Sequence, residues 1–459
     1  MNTCKRSVSF VENLQFEISD NLNNEALVLA DVDNDGDNEL VVGQINGELL
    51  IFKGSSVKPY KSCRNLGMIT CVGVGDFWNQ RENYLFCVTV EGWCHIFFIT
   101  PETTQETFKP ISSLLLPSNC KIILLADVDG DGMLELVTGH ADRAVYIHKL
   151  HVVKEHHKQS DVCDQPSTEK EDKKKKVKPS VSTNRHDLDK ITKNSIETAQ
   201  KSNGKDLKQE GTIAKLYHVG NKVSGDAVQK RTVSFKVEEV HHWTIPRQIG
   251  SLVVFDMETT RYLLASYPGG SYIILNSWNL SEQQKDGDQM SSSASKSTFR
   301  QFPHVWGRSK DIPLNLLTLK CCDPDAPASC LEKHLVLCTQ DGQVTLLYGS
   351  KLQWSLCIEQ GFYNLFALSK LDITGDGNEE IALCSWEGNT YIIDHLKNVV
   401  QFSFGENVMG FCAGSYAFSP GKNLPALVYV TSSNRVIIYW NAWQSLMVPT
   451  YLNPLTPEI

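Results

Sequence analysis

Three short runs of the chain place carboxylates at the spacing that wraps a hard cation. The first holds Asp31, Asp33, Asp35 and Glu39, with Gly36 at the bend. The second holds Asp127, Asp129, Asp131 and Glu135, with Gly130 and Gly132. The third holds Asp372, Asp376 and Glu380, with Thr374 where the other two have an acid. Oxygens at the first, third, fifth and ninth positions can surround Ca2+ or Mg2+, and glycine permits the tight turn between them. An EF-hand is excluded, because the twelfth position of the first run is Val42 and both flanks are β-rich. The same spacing also works without an ion, since Asp and Asn side chains accept hydrogen bonds from nearby amides and hold a turn. Both readings stay open here. In both, the group braces a loop, and no cofactor is required.

No catalytic constellation accompanies these loops. His151, His156, His157, His241 and His242 cluster only in sequence, and no nucleophile elbow, P-loop or dinucleotide fingerprint occurs. The chain therefore reads as a binding protein rather than an enzyme. Trp440 and Trp443, close to Val448-Pro449, are the aromatic residues best placed to anchor a partner. The net charge of −9 argues against a nucleic-acid binder. Lys173 to Lys176 form a basic run, but Glu169, Glu171 and Asp172 dilute it. The start of the chain shows no secretory h-region, and no apolar run is long enough to span a membrane. The fourteen cysteines form no CxxC pair. In that setting they read as reduced, mostly buried thiols of a cytoplasmic protein.

The loops are positioned by a repeated β-pattern. An apolar strand leads into the acidic run, then come a second apolar strand ending in Gly, a polar turn and a third strand. Ala26–Asp31, Glu39–Gly43 and Glu48–Phe52 make the first copy. Copies beginning at Ile122 and Leu365 repeat it, and four weaker copies lie at Ile69–Phe98, Gln248–Leu275, Leu314–Leu347 and Met409–Tyr439. Residues 154–230 and about 281–300 are polar and apolar-poor, so both read as disordered insertions. The remaining chain divides into seven copies of roughly 50 residues, the period of a propeller blade. The expected fold is an all-β, seven-bladed β-propeller. Blades one to three and a closing strand lie in 1–153, and blades four to seven in 231–459. Arg6–Phe10 and Arg231–Phe235 echo each other and read as outer edge strands. The stretch Ser7–Ile18 is expected to complete the last blade, leaving no open sheet edge.

The loops at Asp31, Asp127 and Asp372, each followed by an apolar run, resemble the FG-GAP repeat of integrin-alpha propellers. Arg6–Phe10, Gly36–Gly43, Gly67–Asp76 and Glu91-Gly92-Trp93 together resemble the integrin-alpha FG-GAP repeat-containing protein 2 family, whose members are KICSTOR complex subunits. That resemblance implies a scaffold that pairs with a kaptin-like propeller and a large scaffold subunit. It further implies recruitment of the GATOR-one complex to the lysosomal membrane, through partners only, and restraint of target-of-rapamycin signalling when amino acids or glucose are scarce. The rival readings are a cation-dependent adhesion or ligand-binding propeller, as in true integrins, and a propeller enzyme or lectin.

Overall fold

Short apolar runs punctuated by positive-φ glycine and asparagine leave the chain little choice but antiparallel hairpins. The computed structural model describes residues 5–10, 12–101, 107–153, 234–257, 260–275, 297–301, 313–320, 334–358 and 364–442. The chain opens with β1 (Lys5–Val8) and β2 (Asn13–Glu17). Blade one is β3 (Leu22–Ala30), β4 (Glu39–Gln44), β5 (Leu49–Phe52) and β6 (Lys61–Cys63). Blade two is β7 (Ile69–Gly75), β8 (Tyr84–Thr89), β9 (Trp93–Phe97) and β10 (Ser112–Leu115). Blade three is β11 (Cys120–Ala126), β12 (Glu135–His140), β13 (Ala144–Val153) and β14 (Ser234–Thr244). Blade four is β15 (Leu252–Met257), β16 (Thr260–Tyr267), β17 (Ser271–Leu275) and β18 (Ser297–Gln301). Blade five is β19 (Leu314–Leu319), β20 (His334–Thr339), β21 (Gln343–Tyr348) and β22 (Lys351–Cys357). Blade six is β23 (Leu365–Leu371), β24 (Glu380–Ser385), β25 (Asn389–Ile393) and β26 (Val399–Ser403). Blade seven supplies β27 (Val408–Ser419), β28 (Lys422–Thr431) and β29 (Arg435–Trp440).

The missing fourth strand of blade seven is β2, which pairs antiparallel with β29 from Asn13↔Tyr439 to Glu17↔Arg435. The expected closure by the first residues therefore falls on Asn13–Glu17. The earlier stretch does something else. β1 adds to blade six as a fifth strand, parallel to β26. Phe10, between the two strands, is buried against Phe402, with ring centroids 4.7 Å apart.

The echoing stretch near Phe235 also takes an outer edge, but in blade three rather than blade four. β14 pairs with β13 from Ala144↔Thr244 to Val153↔Ser234. The long insertion thus separates the third and fourth strands of one blade, and a boundary at residue 153 cuts through that blade. Residues 154–230 and 281–296 lie outside the described residues, but Ser297–Arg300, expected at the end of the second insertion, instead pair with β17 as part of β18, the outer strand of blade four.

Strand alternation puts each sheet's two faces against different neighbours. In β4, Leu40 and Val42 pack with Val428 and Val430 of blade seven, while Val41 packs with Leu85 and Cys87 of blade two. The other blade pairs are joined by equivalent apolar clusters, so the core is a ring of seams rather than one centre.

One seam is polar. In blade three His148 lies directly opposite Leu136, on the face toward blade two, and is 2% exposed. His140 Nε2 lies 2.8 Å and His148 Nε2 3.5 Å from Thr138 Oγ1, and no hydrogen bond reaches His148 Nδ1. Burial, reinforced by His140, pushes the His148 imidazole from its ordinary 6.5 down to about 4. As pH falls through this window the unfolded chain binds a proton that the folded chain refuses. Full stability is present above about pH 6.5 and is lost toward pH 4, by about 3 kcal/mol for this group. Urea melts between pH 7.5 and pH 5 should show this slope in the wild type and a shallower one in His148→Leu, where the protonation site is gone. Equal slopes would assign the acid lability elsewhere.

Candidate functional site

Each acidic loop joins the first strand of its blade to the second, so two paired strands fix both of its ends. The leading aspartate is committed to the backbone. Asp31 Oδ1 accepts the Asn34 amide at 2.7 Å and Oδ2 the Gly36 amide at 3.0 Å. Asp127 takes the amides of Gly130 and Gly132 at 2.7 and 3.1 Å, and Asp372 those of Gly375 and Gly377 at 2.7 and 2.9 Å. The closing glutamate reaches back to the second loop residue. Val32, Val128 and Ile373 donate their amides to Glu39, Glu135 and Glu380 at 3.0, 2.9 and 2.7 Å. Asp35, Asp131 and Asp376 each accept an amide two residues on. These bonds tie the loop's own carboxylates to its backbone amides and hold the turn.

The remaining oxygens converge on a residue the sequence pattern did not single out. Lys53 Nζ lies 2.7 Å from Asp33 Oδ2, 2.7 Å from Asp35 Oδ2 and 2.7 Å from Glu39 Oε1. In blade three, Lys149 Nζ lies 2.8, 2.7 and 3.3 Å from Asp129, Asp131 and Glu135. Asp33 and Glu39 are fully buried, and the lysine stem covers them. Glu39 Oε1 makes no aligned hydrogen bond, but attraction to an ammonium 2.7 Å away does not depend on alignment. Burial pushes the Glu39 carboxyl up to about 7, against the downward pull of Lys53 and the Val32 amide. For Lys53 burial acts downward, and bonds to Asp33, Asp35 and Glu39 outweigh it, holding the ammonium well above its ordinary range. Glu380 is likewise raised to about 7, by burial first. Among the described residues no lysine pairs with it; the Thr374 hydroxyl donates to Glu380 Oε1 at 3.3 Å.

The loops also tie blades together. Asn34 and Asn83 bond reciprocally, with Asn83 N donating to Asn34 Oδ1 at 2.6 Å and Asn34 Nδ2 to Asn83 O at 3.2 Å. On the other side, Asn423 of blade seven accepts from the Asn38 amide and donates to Gly36 O, each at 2.8 Å. Arg261 of blade four grips Asp127 and Asp256, each at 2.9 Å. Lys320 of blade five donates its amide to Glu379 of the third loop at 2.7 Å.

Of the two tryptophans singled out as partner anchors, Trp440 is half-buried and stacks on Phe418 at 4.2 Å and 7°, finishing blade seven. Trp443 lies outside the described residues.

Seven blades, six of four strands and one of five, with acid-rich first loops in three of them, define a β-propeller of the FG-GAP kind. The family described as integrin-alpha FG-GAP repeat-containing protein 2 matches residues 53–178 and 221–443. The chain belongs to that family. It is 31% identical over 468 residues to the KICSTOR complex protein ITFG2 of Mus musculus, covering 97% of this chain and 88% of the mouse protein. The Bos taurus KICSTOR complex protein ITFG2 is 30% identical over 468 residues, covering 97% of this chain and 73% of the bovine one. A chain of the crystal structure of BBS1N in complex with ARL6DN superposes with a TM-score of 0.53 at 11% identity, over 95% of this chain and 97% of that one. That likeness speaks to the fold alone.

Proposed function

We propose that this chain is a non-catalytic scaffold subunit of a KICSTOR-like complex. The observation that carries the reading is its match, over 97% of its own length, to the mouse and bovine proteins named for that complex. The geometry supports a framework role. The carboxylates that chemistry would draw on are spent on amides, lysines and neighbouring blades, which makes a rigid ring for presenting surface. Among the described residues no helix is long and apolar enough to cross a membrane, which fits lysosomal attachment through partners. In this reading the propeller pairs with a kaptin-like propeller and a large scaffold subunit. The assembly recruits the GATOR-one complex and restrains target-of-rapamycin complex one when amino acids or glucose run short.

The test is affinity purification of the full chain from fed and starved cells, followed by mass spectrometry. A kaptin-like propeller, a very large scaffold subunit and GATOR-one subunits are expected in the eluate. Cells lacking the chain should keep the kinase active after amino-acid withdrawal. Recovery of none of these partners would remove the proposal.

A further inference from the structure

We infer that Lys53 and Lys149 are tethered counter-ions standing where an FG-GAP loop would hold a divalent cation, so that the first two loops need no metal. A Ca2+ ion needs several oxygens at about 2.3–2.6 Å. In the first loop the oxygens that converge, from Asp33, Asp35 and Glu39, do so on an ammonium at 2.7 Å. The leading Asp31 has both oxygens on backbone amides. Ammonium and ion would share one space, so a metal enters only if Lys53 leaves. Asp33 Oδ1 and Glu39 Oε1 are buried without a hydrogen bond. Asp31, Asp33 and Glu39 together bring three carboxylate oxygens within 4.8 Å of one another, short of the about six to eight that Ca2+ takes.

The other blades show that the lysine belongs to the device. Lys53 directly follows Phe52, which pairs with Leu40, and Lys149 directly follows His148, which pairs with Leu136. Both loops carry an acid at the third position. In blade six the matching residue after Ile393, which pairs with Ile381, is Asp394. There the third position is Thr374, whose hydroxyl serves the glutamate. In blade two the matching residue after Phe97, which pairs with Leu85, is Phe98. Its loop keeps the leading Asp76, which accepts the amides of Gln80 and Arg81 at 2.8 and 2.6 Å. The other positions are aromatic: Trp78 packs on Tyr84 at 4.6 Å, and Tyr84 on Phe98 at 5.0 Å. Third position, ninth position and the residue that follows the third-strand partner of position ten thus change together. They read acid, acid and lysine twice, threonine, acid and aspartate once, and three aromatics once. A metal site would not demand a lysine wherever its acids are complete; a tethered cation does.

The experiment is thermal melting of the full chain, wild type and variants, in EDTA and in millimolar Ca2+ or Mg2+. The wild-type Tm should be the same in all three. Lys53→Met keeps much of the apolar stem and removes the charge. Its Tm in EDTA should fall by about 5 °C, and Ca2+ should restore much of it as the ion takes the vacated place. Lys149→Met repeats the test at the more exposed loop, should the first variant not fold. Metal dependence in the wild type, or its absence in both variants, overturns the inference.

Discussion

A chain lacking residues 1–18 should lose about 5 °C or more of Tm, or fail to unfold cooperatively. The cut removes both opening strands. Blade seven is left with three strands, and β29 loses its ladder to Asn13–Glu17. Phe16, stacked on Phe52 at 4.1 Å, goes with it, as do buried Phe10 and Ile18. At about 1.5–3 kcal/mol for each large apolar side chain, the loss is roughly 5 kcal/mol or more, comparable to the whole stability of many domains. A bare, apolar sheet edge is also a template for association. Size-exclusion chromatography should therefore show oligomers. A peptide spanning residues 5–18, added in trans, should return the monomer and part of the melting temperature. A truncated chain that melts like the full one would mean the ring is not sealed there.

Glu39→Ala should be the most damaging single substitution in the acidic loops, at about 3–5 kcal/mol. The carboxyl is fully buried, accepts the Val32 amide at 3.0 Å and neutralises Lys53 at 2.7 Å. Removing it strands an amide and leaves a half-buried ammonium short of a partner. Asp35 touches the same lysine at 2.7 Å, but its side chain is 29% exposed. Asp35→Ala should therefore cost less than about 1 kcal/mol. Glu39→Gln keeps the shape and the acceptor for Val32. Because burial already pushes this carboxyl up to about 7, with Lys53 and the Val32 amide pulling against it, the neutral side chain should cost less than alanine. Chemical denaturation of the three variants checks the order. Equal losses for Glu39→Ala and Asp35→Ala would mean that burial does not set the energetics of the loop.

The blade rhythm was readable because it is local. Asn46-Gly47 and Glu91-Gly92 mark hairpins whose glycines do adopt positive φ, and the apolar runs beside them are strands. The acidic loops were readable as turns, since Asp31 and Asp127 cap amides within five residues. What escaped was non-local pairing. Lys53 lies 14 positions beyond Glu39 and, taken alone, looks like any surface lysine. Only the alignment of blades shows that it recurs where the acids do. β14 belongs to blade three, and no local pattern joins it there because its partner, β13, lies on the far side of the insertion. The parallel docking of β1 beside β26 had no turn to announce it. Trp440 showed an aromatic ring but not Phe418, which covers it.

Sealing the circle with its second strand, β2, sets the order in which this protein can be made. Glu17 leaves the ribosome long before Arg435, the residue it must pair with. At about 5–20 residues per second the wait is roughly 20–80 s. Over that interval six blades can gather while the opening strand hangs loose, its phenylalanines bare. A newborn chain of this design depends on whatever shields that strand until the last blade is out.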